Sequence, residues 1–327
     1  MYQWWSLTKL FTAAAVLQLH ERDLLELDDP VSKYLPFFEV TNRNKDSDPI
    51  TIRQLLSHSS GLGDIGFSIL GWIHFDDSAT INQIELLKEK LPRYAKLKSQ
   101  PGTTGAYSNL GYIVLAALIE SISGESYRSF IKTNILDPLE MNNTDFVYSD
   151  HMLKNEAQGS HPRDLLSYIV PFIIDEEKAI SETHDGRIWF NRVYSIQQGS
   201  TGLIGSPEDI VKFMQALLND GALNNKRILS PESVALMETP VIAVSKSPAP
   251  ADGLDFGLGW FIAETENGKV LTHSGAGMGY VTTLRLYPEQ DLGVFVIANS
   301  TYLGRSMGLD IVNLAGMAER AHNTPFK

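Results

Sequence analysis

A serine and a lysine three residues apart, Ser6-Leu7-Thr8-Lys9, stand at the head of the run 10–19, LFTAAAVLQL. That run has no Gly or Pro and is rich in Ala and Leu, so it predicts a mostly buried helix. A three-residue step places Ser6 and Lys9 on one helical face. A serine hydroxyl is a poor nucleophile at neutral pH, but a desolvated amine beside it can take its proton. The positive end of the helix dipole favours the negative charge that then develops. Ser6 and Lys9 are therefore a candidate nucleophile and base. The spacing alone is common: Ser129-Phe130-Ile131-Lys132 repeats it on what reads as a solvated helix face.

Two later segments carry further chemistry. Tyr107-Ser108-Asn109, the single Tyr-x-Asn of the chain, lies on a loop feeding the apolar run 112–120. His273-Ser274-Gly275 closes a strand-like run, 270–273, near the end of the chain. His184-Asp185-Gly186 imitates it within a polar stretch. His58, in His58-Ser59-Ser60-Gly61-Leu62-Gly63, reads as a polar side chain tying down a tight loop, with no second histidine at metal spacing. The glycine-rich segment 199–205 lacks the Gly-Lys-Ser/Thr ending of a phosphate loop. Gly304-Arg305-Ser306-Met307-Gly308 matches the nucleophile elbow of α/β-hydrolases. That elbow needs preceding parallel βαβ units and a later acid and histidine, and Asp310 and His322 are poor candidates for those roles.

The elements that must hold these groups follow from pattern and punctuation. Helices are expected over 52–56, 81–91, 112–120 and 126–135, and over 308–320 as a closing element. Ser206-Pro207-Glu208-Asp209 and Ser230-Pro231-Glu232 are strong helix starts, each with a capping serine, proline at the first position and acids in the first turn. From Phe256 onward the period changes to that of strands, at 257–262, 270–273, 280–287 and 292–298. Their short links make the sheet antiparallel. Residues 140–200, with an apolar patch at 164–174 and a polar stretch at 180–192, read as an irregular insert that could line a cleft.

Bulk properties narrow the function. The chain has 327 residues, 43% hydrophobic and 20% charged, which is ordinary for a globular protein. A net charge of −12 with no basic block argues against nucleic acid as a partner. There is no cysteine, so disulfides, thiolate catalysis and Cys-ligated metal are excluded. The 8 histidines are scattered and no His-Glu-x-x-His occurs, so neither a metal nor any other cofactor is expected. No signal peptide is visible, and the run 165–174 is too short for a membrane span and contains Pro171. As written the chain reads as soluble and cytoplasmic.

In this order and setting, the three segments resemble the serine β-lactamase and penicillin-binding protein superfamily, most nearly its class C β-lactamase-related branch. That branch includes family VIII-type esterases, DD-peptidases and D-amino-acid peptidases. Further likeness lies in Leu27-Asp28-Asp29-Pro30-Val31, His58-Ser59-Ser60-Gly61-Leu62, Asp137-Pro138-Leu139-Glu140-Met141 and Phe256-Gly257-Leu258-Gly259-Trp260. The resemblance implies an α+β fold: an antiparallel sheet flanked by helices, beside an all-helical lobe, with the site between them. It implies one catalytic domain over 1–327, with a helical lobe over roughly 30–200 and a sheet lobe from roughly 1–30 and 200–327. Ser6 would be acylated, Lys9 and Tyr107 would handle its proton, and Asn109 would bind substrate or Lys9. The N–H groups of Ser6 and Ala276, beside Gly275, would form the oxyanion hole. The expected function is a serine hydrolase working through an acyl-enzyme on a small ester or amide. Alternatives are a D-amino-acid or DD-peptidase or β-lactamase, and a catalytically silent binding member or truncated product.

Two departures from the family pattern bear on this. His273 stands where class C enzymes carry a lysine, and imidazole is largely neutral at pH 7. The grip on an anionic substrate should weaken, which favours neutral esters. Relatives also carry two sheet strands upstream of the nucleophile, whereas 5 residues precede Ser6 here. Without those strands the segment 292–298 would be an open edge, available for aggregation or for pairing with another chain.

Overall fold

The computed structural model describes residues 1–41, 48–65, 72–78, 81–163, 176–248, 253–266 and 268–301. The segments 164–174, 304–308 and 308–320, for which an apolar patch, an elbow and a closing helix were expected, lie outside them. The main sheet has seven strands: β1 (Gly105–Ala106), β2 (Ile242–Lys246), β3 (Asp255–Phe256), β4 (Phe261–Thr265), β5 (Gly268–Gly277), β6 (Tyr280–Tyr287) and β7 (Leu292–Ala298). They lie side by side in reverse chain order, from β7 to β1. All neighbours are antiparallel except β1 and β2, which run parallel. Among the described residues β7 and β1 are the two edges of the sheet.

The helix α1 (Thr8–Glu21) runs through the middle of the molecule. Every residue from Thr8 to Leu19 is buried, which is why its sequence is apolar on all faces. Ala13, Ala14 and Ala15 let neighbours approach closely: a Cβ added at Gly259 would lie 3.0 Å from the Ala13 methyl. One neighbour is α2 (Asn109–Ser123), capped by the Ser108 hydroxyl and closed by Gly124 at φ 74°. Another helix, α3 (Pro207–Leu218), packs against β7. Ser206 caps it by accepting from the Asp209 N–H. Phe11 of α1 stacks between Phe213 of α3, at 4.1 Å between centroids, and Trp4, at 5.8 Å. Burial of large apolar and aromatic side chains at this junction locks α1 between sheet and helices.

Several elements match expectation closely: the helix Ile52–Leu56 with a Thr51–Gln54 capping box, the Ser230-capped helix Pro231–Met237, and strands β6 and β7. Others differ for physical reasons. The strand expected over 257–262 is broken, because the chain turns at Gly259 (φ 94°) to meet α1 and resumes as β4. The helix expected over 81–91 spans Gln83–Tyr94 and carries Pro92 inside it. The one expected over 126–135 is α-helical for Tyr127–Ile131 and then widens to a π-helix, Lys132–Leu136. The stretch 180–192, expected to be irregular, holds a hairpin of Ile180–His184 and Arg187–Phe190, with Ser160–Pro162 paired beside it. Asp185 (φ 51°) and Gly186 (φ 70°) make its turn, so the His184-Asp185-Gly186 imitation is turn chemistry.

Candidate active site

Ser6 lies in a one-turn 3-10 segment, Trp5–Leu7, that feeds directly into α1. Two contacts hold this turn. The Trp4 N–H donates to the Leu203 carbonyl at 2.9 Å, and the Thr8 hydroxyl donates to the Trp5 carbonyl at 2.7 Å. Trp5 has a left-handed backbone, φ 49°, which is strained for a residue with a side chain. Between residues 3 and 19, Ser6 alone is not fully buried. The turn therefore offers one hydroxyl to the outside from an otherwise sealed helix start.

Lys9 is 0% exposed. Its Nζ donates to the Asn109 Oδ1 at 2.8 Å, to the Ser200 carbonyl at 2.9 Å and to the Ser6 Oγ at 3.3 Å. It also sits 4.9 Å from the Tyr107 ring centroid and 5.5 Å from that of Tyr112. Burial lowers its pKa to about 7, against a smaller upward pull from the charge of Asp64. Near neutral pH about half of the amines are then uncharged and able to accept a proton.

Tyr107 is hydrogen-bonded through its hydroxyl to the Ser6 side chain, and burial raises its pKa, so it stays a phenol. Its backbone N–H donates to the Lys246 carbonyl of β2 at 2.9 Å. The Ser108 N–H donates to the His58 Nδ1 at 3.1 Å, and the His58 ring lies 4.5 Å from that of Tyr107. Burial, with Lys9 and His273 nearby, pushes the His58 pKa well down, so the ring is neutral. It does what the sequence implied: it ties down a tight loop, at φ 54°. The Asn109 carboxamide bridges two groups, accepting from Lys9 and donating from Nδ2 to the Asp64 Oδ1 at 3.0 Å.

The wall opposite is β5. The strand does not end at His273 as expected; it runs on to Gly277, paired throughout with β6. It can do so because Gly275 and Gly277 have no side chains. A Cβ at Gly275 would lie 2.2 Å from the Trp4 carbonyl oxygen and 2.9 Å from the Ser6 nitrogen. One at Gly277 would lie 2.1 Å from the Trp5 indole. Bare backbone thus abuts the nucleophile turn. His273 is 1% exposed, with its Nδ1 donating to the Ser274 carbonyl at 3.0 Å. Burial, then the nearby Lys9, lowers its pKa to about 3. It is a neutral, buried residue packed against Phe261. Ala276 faces the exposed side of the same strand.

Ser6, Lys9, Tyr107 and Asn109 thus meet in one place, with Gly275 against the turn. Ser129 and Lys132 are elsewhere: the Ser129 hydroxyl binds Glu125 and Lys132 pairs with Asp137 at the surface. Sequence reading missed Asp64 and the Ser200 carbonyl. The carbonyl has no residue signature; it reaches Lys9 because Gly199 permits contact with α2, where a Cβ would lie 2.4 Å from the Tyr112 carbonyl oxygen. Among the described residues no cluster of three or more His, Asp or Glu is placed to hold a metal. No helix among them is long and apolar enough to cross a membrane.

A seven-stranded, mostly antiparallel sheet packed on helices, with a partly exposed serine beside a buried lysine, is a fold of β-lactamase and transpeptidase type. The chain belongs to the Beta-lactamase family, whose model matches residues 1–317. It is 28% identical over 305 residues to a penicillin-binding protein of Bacillus subtilis (strain 168), covering 90% of this chain and 59% of that protein. It is 27% identical over 313 residues to the D-alanyl-D-alanine-carboxypeptidase/endopeptidase AmpH of Escherichia coli (strain K12), covering 92% of this chain and 71% of that one. The octameric penicillin-binding protein homologue from Pyrococcus abyssi superposes with a TM-score of 0.70 at 28% identity, over 96% of this chain and 66% of that chain. The chain thus spans little more than half of the Bacillus subtilis relative.

Proposed function

We propose that this chain is a serine hydrolase that forms an acyl-enzyme on Ser6 with a small ester or amide, esters being preferred. The observation that carries the reading is the dehydrated Lys9 amine, 3.3 Å from the Ser6 hydroxyl and held by Asn109. In its neutral form Lys9 takes the Ser6 proton as Oγ bonds to the substrate acyl carbon. The Tyr107 phenol passes its proton to the leaving group as its bond to that carbon breaks, and takes back the proton that Lys9 received from Ser6, so that Lys9 is neutral and Tyr107 a phenol again. The N–H groups of Ser6 and Ala276 bind the developing oxyanion. A water then attacks the acyl-enzyme by the same steps in reverse, freeing Ser6 and an acid.

The ester preference rests on His273. A buried imidazole with a pKa of about 3 brings no positive charge to β5 at neutral pH. A peptide with a free carboxylate is the second reading, supported by the likeness to AmpH and by two cations. Lys98 and Lys246 line a cavity of about 390 Å³ on the Asp64 side of Tyr107. A p-nitrophenyl ester chain-length series, run beside nitrocefin and a D-Ala-D-Ala peptide, tests the assignment. Esters should be turned over fastest, and a preference for nitrocefin or the peptide would defeat the ester reading. Ser6→Ala should abolish turnover and Ser306→Ala should leave it intact. A silent protein would give no adduct on Ser6 with an activated phosphonate or a fluorescent penicillin.

A further inference from the structure

We propose that Asp64 is a positioning residue that acts on the Lys9 amine in two ways, by its negative charge and by turning the Asn109 carboxamide that holds the amine against Ser6. A carboxamide can sit in either of two orientations, with oxygen and nitrogen exchanged. Here the choice is forced. The Asp64 carboxylate only accepts, and its Oδ1 takes the Asn109 Nδ2 at 3.0 Å, the Asn109 N–H at 3.2 Å and the Ile65 N–H at 2.8 Å. The carboxamide oxygen is thereby turned to Lys9 Nζ, at 2.8 Å. In the opposite orientation an oxygen would face the carboxylate, which is repulsive, and an N–H would face Lys9, which is repulsive whenever the amine is protonated. The orientation also places the amine where it meets Ser6 rather than the π-faces of Tyr107 and Tyr112 alone.

Charge gives Asp64 a second effect on the same amine. The groups around Lys9 are Ser6, the phenols of Tyr107 and Tyr112, the neutral rings of His58 and His273, the Ser200 carbonyl and Asn109. Among the described residues Asp64 is the one carboxylate whose charge acts on Lys9, and it opposes burial by favouring the ammonium form. The Asn109 carboxamide alone bridges the two groups, which keeps the carboxylate close enough for its charge to be felt. Nothing in the spacing of Gly63-Asp64 announces this role; the loop carries it to Asn109.

The proposal rests on the serine-hydrolase reading only for its activity arm. Two variants of the full chain test it, Asp64→Asn and Asp64→Ala. The first keeps an acceptor for Asn109 and loses the charge; the second loses both. With ¹³C-labelled lysine, the Lys9 Cε resonance is assigned by its loss in Lys9→Met and titrated on the resting protein. In Asp64→Asn its midpoint should fall by roughly half a unit or more. In folded Asp64→Ala, kcat for p-nitrophenyl acetate should drop at least about tenfold while KM stays within about threefold. An unmoved Lys9 midpoint in Asp64→Asn overturns the proposal, and so does a wild-type kcat in folded Asp64→Ala. If Asp64→Ala does not fold, the Asp64→Asn titration decides. If the wild-type protein hydrolyses nothing, the hydrolase reading falls and the same titration still decides the role of Asp64.

Discussion

Replacing Lys9 by methionine should change the pH dependence of stability in a way that can be worked out beforehand. The amine is 0% exposed, and its pKa is about 7 in the folded protein against 10.5 for an ordinary lysine. Between those values the unfolded chain holds a proton on Lys9 that the folded protein has released. Stability therefore rises with pH across this window, by up to about 1.36 kcal/mol per pH unit. Integrated from about pH 7 to about pH 10, the wild type should gain about 3.5 kcal/mol relative to Lys9→Met. The variant also leaves the Asn109 and Ser200 acceptors without their donor, a loss that is the same at every pH and cancels from the slope. Methionine has a similar length and no charge, so the packing around α1 is largely kept. Urea unfolding at a series of pH values for both proteins gives the difference directly. Parallel curves would mean that Lys9 titrates as an ordinary lysine, and the base in the proposed mechanism would be lost with it.

Three further outcomes follow from the same geometry. The rate kcat/KM for an ester should fall as pH drops through about 7, because protonated Lys9 cannot accept the Ser6 proton; a flat acid limb would exclude it as base. Tyr107→Phe should keep the fold and lower kcat by about 10² to 10⁴, as loss of a proton-transfer group does, measured with the same ester. Gly275→Ala should push the added methyl onto the Trp4 carbonyl, 2.2 Å away, costing about 1 to 3 kcal/mol in urea unfolding and most of the turnover. An alanine variant with wild-type stability would show that the strand and the nucleophile turn are not in contact.

Much of the site was legible because its chemistry travels in short local motifs. Ser6 and Lys9 lie three residues apart where a 3-10 turn runs into α1, Tyr107 and Asn109 lie two apart at the start of α2, and Gly275 is bare where backbones touch. Strands β6 and β7 were legible to the residue because alternation and the turn at Pro288–Gln290 bound them. The strand before them was misjudged at both ends. What decides its length and the break at Gly259 is contact with α1 and with Trp4 and Trp5, which are more than two hundred residues away. Asp64 and the Ser200 carbonyl were invisible for the same reason. A carboxylate in a loop and a backbone oxygen acquire meaning only when the chain returns to Lys9. The position of His273 was right in sequence, but its burial depends on Phe261 and Tyr107 closing over it.

The helix that carries Lys9 and follows directly on Ser6 is buried at every residue from Thr8 to Leu19. Its amides from Phe11 to Leu19 can meet water only when sheet and flanking helices separate, so their hydrogen exchange should report global unfolding alone. Thermal inactivation and loss of structure would then be one event.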